Sequence, residues 1–194
     1  QTVSWGKLID LKKIEKVDYI IGQDDSGYYV SGHNLLKVRF GEVNPFANQN
    51  IFTYQIFHFG KDLNLKKKAE LDLGTGDDKK KLEQVLLLDG KLYGFYSWVK
   101  LKQQTNTLYV REIDKNSLKF IGEEKAIAKL RFPEIKPNAV TLYWKKAVNN
   151  ISLGKYLIET LENTSIIKLR VSPPYDIRKK DSELPRSFVM LLDA

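Results

Sequence analysis

Cysteine is absent from this 194-residue chain, which excludes disulfide staples and thiolate metal centres. Histidine is nearly absent. His33 and His58 stand far apart with no cysteine to complete a ligand set, so neither a metal nor any other cofactor is expected. Long apolar runs are missing too. The longest, Phe188 to Leu192, is far short of the ~20 residues a membrane helix needs, so no membrane span is expected. Arginine supplies only 6 of the 32 basic side chains. Bidentate reading of guanine and phosphate favours arginine, so a nucleic-acid partner is not expected on composition despite a net charge of +8. No Gly-x-Ser-x-Gly elbow anchors a nucleophile. Leu73-Gly74-Thr75-Gly76-Asp77-Asp78 has two glycines but no Gly-Lys-Ser/Thr ending, and Asp72, Asp77 and Asp78 lack the twelve-residue calcium-loop pattern. This stretch reads as a turn between strands.

What is present is the composition of a folded domain. With 42% hydrophobic and 29% charged residues, the chain fits one unit over residues 1–194. The triplets Lys66-Lys67-Lys68 and Lys79-Lys80-Lys81 lie beside Glu70, Asp72, Asp77 and Asp78, and such charge runs mark solvated faces. Residue 1 is Gln and the only methionine is Met190, which suggests a removed leader or a fragment. The expectation taken from this is a periplasmic or extracellular protein.

The dominant local signal is the β-hairpin. Gln84 to Leu88 and Lys91 to Val99 flank Asp89-Gly90, a pair suited to positive φ at both centres of a two-residue turn. Asp77 to Leu88 also has helical spacing at Leu82, Val85 and Leu86, but the Asp-Gly turn favours a strand for 84–88. An earlier pair, Asp18 to Ile21 and Tyr28 to Val30, brackets Asp24-Asp25-Ser26-Gly27. Second pairs follow: Phe52 to Phe59, then Leu63 to Leu65 and Ala69 to Leu73, and Thr107 to Ile113, then Leu118 to Ile121 and, after a polar stretch, Ala126 to Leu130. The order of these elements predicts blade-like units of four strands over about 17–73 and 82–130, with an incomplete third over about 140–194. In that third unit a strand is predicted at Val140 to Trp144, and Ile151 to Leu161 is open between strand and helix. Ile166 to Val171 and Ser187 to Leu192 read as strands around a polar excursion, Pro173 to Pro185.

Face accounting gives the architecture. In Leu92 to Val99 one face carries Tyr93, Phe95 and Val99, and the other Leu92, Tyr96 and Trp98. An antiparallel hairpin with two apolar faces must be stacked between similar sheets, as in a β-propeller blade. The fold class is therefore all-β, with antiparallel four-stranded sheets forming a partial propeller. Leu169-Arg170-Val171-Ser172-Pro173 with Ser187 to Leu192 resembles the blade-opening motif of TolB-like and WD-repeat-like bacterial β-propellers, departing from it at Pro174 and in the long excursion. The resemblance implies an exported protein that binds partners through its top face or channel, and it transfers no functional residue. Propellers close with four or more blades, so further blades or self-association are expected to cover the open edges.

The function expected from these readings is a non-enzymatic binding module for a protein or glycan partner. The alternative is a glycan-active enzyme, for which Asp24, Asp25 and Glu112 supply carboxylates and Tyr28, Tyr29, Trp98 and Trp144 supply stacking rings. Packing between blades is the simpler use for Tyr28, Tyr29 and Trp98.

Overall fold

The computed structural model describes residues 15–35, 52–74, 80–132, 151–152, 154–160, 166–176 and 188–193. Among these residues the chain is all-β apart from one 3-10 turn at Leu101–Gln103. The first sheet takes its strands in sequence order: β1 (Glu15–Asp24), β2 (Gly27–Leu35), β3 (Phe52–Phe59) and β4 (Leu65–Glu70). The second has the same order: β5 (Lys81–Leu88), β6 (Lys91–Lys100), β7 (Thr105–Asp114) and β8 (Lys119–Arg131). The third consists of β10 (Lys155–Thr160), β11 (Ile166–Ser172) and β13 (Phe188–Asp193). A short pair, β9 (Ile151–Ser152) with β12 (Tyr175–Asp176), continues the β10–β11 hairpin beyond Gly154 and Pro173-Pro174. All pairings are antiparallel, and no sheet closes on itself among the described residues.

The local chemistry explains the hairpins. Asp89 and Gly90 both take positive φ, 46° and 74°, so β5 and β6 are joined by the left-handed two-residue turn that matches strand twist. The turn wins over the helical spacing of 77–88, and 81–88 is strand. At the first hairpin Gly27 has φ 139°, and a Cβ there would lie 1.9 Å from the Phe59 carbonyl oxygen. Only glycine lets β2 and β3 begin their ladder so close to the turn. Residues 155–160, open between helix and strand in the sequence, form β10, with Tyr156 and Ile158 turned inward. The strand predicted at Val140 to Trp144 lies outside the described residues.

The second sheet is the centre of the molecule because both its faces are covered. Leu82, Val85, Leu92, Tyr96, Ile113 and Leu118 pack against Tyr29 and Ile56 of the first sheet and Leu71 and Leu73 just beyond β4. Leu86, Leu88, Phe95, Leu108 and Leu130 pack against Tyr156, Ile158, Ile167, Leu169 and Val171 of the third. The alternation in β6 is the cause: Leu92 and Tyr96 face one neighbour, Phe95 the other. Two tyrosines stitch the layers. The Val85 amide donates to Tyr19 Oη at 2.7 Å, and Tyr156 Oη donates to the Asn106 carbonyl at 2.7 Å. The leading strands are neighbours, β5 lying against β1 on one side and β10 on the other.

The far edges are guarded by charge. Strand β4 carries Lys66, Lys67 and Lys68 and is almost wholly exposed, which blocks edge-to-edge pairing. The outer faces of the stack carry exposed apolar side chains, mixed on the third sheet with Glu159, Lys168 and Arg170. Ile20 lies opposite Val30, beside Phe57, on the first sheet, and Leu157, Val189 and Leu191 stand exposed on the third. No helix among the described residues is long and apolar enough to cross a membrane.

Candidate functional site

Chemistry-bearing side chains gather at opposite ends of the stack. The register pairs Leu92 with Ile113 and Tyr28 with Phe59, so the turns at 25–26, 60–64, 89–90 and 115–118 all lie at one end. There Asp24 is the hub. Its Oδ1 accepts from the Ser26 amide at 2.8 Å and from Ser26 Oγ at 2.6 Å. Its Oδ2 accepts from Lys115 Nζ at 2.8 Å, reaching over from the second sheet. Partial burial works against the charged form, but the hydrogen bonds from Lys115 and Ser26 and the lysine's charge outweigh it. The Asp24 carboxyl is held well below the usual carboxylate range.

Ser26 Oγ also lies 3.0 Å from Tyr29 Oη and 3.1 Å from His58 Nε2, with the Tyr29 and His58 rings stacked at 4.6 Å. Serine, histidine and aspartate are thus together, but not in the order that activates a nucleophile. A hydroxyl has one proton, and the shortest contact assigns it to Asp24. His58 then meets Ser26 Oγ as a donor, whereas a general base must accept. The arrangement is a lock between two turns and two sheets.

The other carboxylates named from the sequence are not brought to this group as partners. Asp25 is fully exposed, with Lys61 at 3.5 Å. Glu112 pairs with Lys91 at 3.8 Å and shares its face of β7 with Leu108 and Val110, the face turned to the third sheet. Of the aromatic candidates, Tyr29 is consumed by the inter-sheet core and Tyr28 packs on the outer face of the first sheet. Trp144 lies outside the described residues, as do Asp77 and Asp78. Asp72 caps its own turn, accepting from the Gly74 amide at 3.0 Å. His33 pairs with Asp18, Nδ1 to Oδ1 at 2.7 Å, in the first sheet. Burial, with the nearby charges of Glu83 and Asp18, pushes the Tyr54 hydroxyl up to about 12.

Trp98 belongs to a second group, toward the opposite end of β6. Tyr96 and Trp98 project from one face of β6, and Tyr109 of β7 stands directly across from Tyr96, their rings 5.9 Å apart. Over this aromatic floor lies the ammonium of Lys80, 5.0 Å from the Tyr96 ring centre, 5.3 Å from Trp98 and 5.6 Å from Tyr109. Glu124 of β8 closes the site, accepting from Lys80 Nζ at 2.5 Å and from Tyr96 Oη at 2.9 Å. Burial would raise the Glu124 carboxyl, yet the bonds from Lys80 and Tyr96, with the charges of Lys80 and Arg111, bring it below its usual value. Burial pushes the Tyr96 phenol strongly up, and its bond to the carboxylate adds to the shift. Lys100 approaches the Trp98 ring at 3.5 Å.

No family model, curated protein or solved structure matches the chain. The site must be read from its own chemistry. Sequence reasoning missed Lys80 and Glu124. In the sequence Lys80 belongs to a triplet that marks a solvated face, yet its side chain is only 21% exposed. The available signal is the i, i+2 pair Tyr96 and Trp98, two rings that share one face of β6.

Proposed function

We propose that this chain is a non-enzymatic binding module of β-propeller type, exported by a bacterium, that recognises a protein or glycan partner. The observation that carries the reading is the stack itself. Sheets of like order lie face to face, with the first strand of one beside the first strand of the next. That is the relation between neighbouring blades. The exported bacterial setting follows from the resemblance at Leu169–Pro173 and Ser187–Leu192. The non-enzymatic part is supported by what holds the reactive groups. Asp24 is neutralised by Lys115, Ser26 gives its proton to Asp24, and Glu112 is paired with Lys91.

The test measures capture and turnover together on a panel of soluble polysaccharides and purified envelope proteins. The expected result is capture that persists at raised salt, with no new reducing ends. Sugar release that disappears in Asp24→Asn would replace this reading with a glycan-active enzyme. Capture of a DNA or RNA duplex added to the panel, lost steeply between about 50 and 200 mM salt, would replace it with a nucleic-acid binder.

A further inference from the structure

The Lys80 site has the parts of a receptor for an organic cation, and its present occupant is a side chain of the same molecule. Three rings, Tyr96, Trp98 and Tyr109, each lie within cation–π range of one ammonium. Tyr96 is fixed in the core shared with the first sheet, while Trp98 and Tyr109 beside it stay half-buried, so the floor is rigid before any cation arrives and open only along its Trp98–Tyr109 side. Glu124 supplies the opposite charge at the rim, and its side chain remains 35% exposed. Tyr96 Oη holds that carboxylate in place, so removing the lysine leaves a positioned, half-solvated anion above an aromatic surface.

Lys80 is held differently from the rest. It stands just ahead of β5, and its amide bonds to the Leu73 carbonyl at 2.7 Å, which fixes its backbone at the junction of the first two sheets. Its flexible four-carbon stem then carries the ammonium over the floor. Since the backbone anchor does not depend on the side chain, the ammonium can leave the floor without unpairing a strand.

We propose that the floor of Tyr96, Trp98 and Tyr109 with Glu124 binds a lysine side chain of a partner protein, methylated or not, and that Lys80 occupies the site as a built-in competitor. The inference names a ligand for the binding module proposed above and rests on that reading for its purpose, though not for its geometry. An unmodified ammonium regenerates the hydrogen bond to Glu124. A trimethylated one keeps the charge and sets its methyl groups against the rings. Because Lys80 is tethered, it acts as a competitor at high effective concentration and weakens every external cation.

The experiment is calorimetric titration at constant ionic strength with Nα-acetyl-lysine methylamide and its trimethylated form. Lys80→Ala is expected to bind both probes about tenfold or more tightly than the unaltered chain. Lys80→Ala with Trp98→Ala is expected to lose that gain. Equal, undetectable binding by the unaltered chain and a folded Lys80→Ala overturns the proposal, as does a gain that survives loss of Trp98. A measurement on the unaltered chain guards against a variant that does not fold. Acylation of Lys80, followed by mass spectrometry, is expected to be slow against exposed Lys61 and to speed up when the trimethylated probe, which has no reactive amine, is added. Lys80 acylating as fast as Lys61 with or without the probe overturns it equally. Loss of this inference while polysaccharide or envelope-protein capture persists leaves the binding-module reading standing.

Discussion

The fate of one proton at Ser26 decides how the turn end of the molecule is understood. Serine, histidine, aspartate and tyrosine meet there, yet Ser26 donates to Asp24 and is left only lone pairs for its other neighbours. The group therefore stores stability, and that stability should titrate. The Asp24 carboxyl lies well below its unfolded value, so its contribution is full above the ordinary aspartate range of about 4 and fades as pH falls from there toward the much lower folded value. Asp24→Asn removes the charge that Lys115 and Ser26 address, and at neutral pH the expected loss is about 1–3 kcal/mol in a urea melt. The same comparison at pH of about 3 should show a smaller gap, since the native carboxylate is then losing its advantage. A gap that stays constant with pH would mean that Lys115 contributes nothing through charge. None of this was legible in the sequence. Asp24, Asp25 and Ser26 looked like an ordinary polar turn, and Lys115 is 91 positions away from its partner.

Strands and turns were far more legible, because their causes are local. Asp89-Gly90 announced the β5–β6 hairpin, since few other pairs tolerate two consecutive positive φ values. The alternation of Leu92, Tyr93, Phe95 and Tyr96 announced that β6 is covered on both sides, and the two cores on either face of the second sheet are that statement in three dimensions. Lys80 was illegible for the opposite reason. Whether a lysine just before a strand faces water or rings depends on the register of that strand against β6 and on the carboxylate supplied by β8, neither of which is local. The hairpin gives a direct test. Gly90→Ala puts a Cβ where nothing lies within 4 Å, so any loss of stability comes from the positive φ of 74° alone. The expected cost is about 1 kcal/mol, read as a lowered urea midpoint with unchanged slope. No change in midpoint would show that the turn relaxes freely and does not set the register of β5 and β6.

At the scale of the whole molecule, the second sheet is the member on which the others depend. Its strand β6 is hydrogen-bonded on both edges, to β5 and β7, and covered on both faces by the first and third sheets. Amides there can exchange only when both interfaces open. Hydrogen exchange should accordingly be slowest in β6 and in the paired stretches of β5 and β7, and fastest along the exposed edge strand β4. Phe95→Ala separates a shared core from three independent sheets. Phe95 faces only the third sheet, and its truncation should cost about 3–5 kcal/mol. If the stack opens as one unit, protection falls in β1 to β3 as well as in β10 and β11, although Phe95 packs in the core shared with the third sheet and not in the one shared with the first. If protection falls in β10 and β11 while β1 to β3 exchange as before, the sheets open separately. The stack would then be a chain of neighbours held by pairwise contacts, as expected where blade-like units are added one to the next.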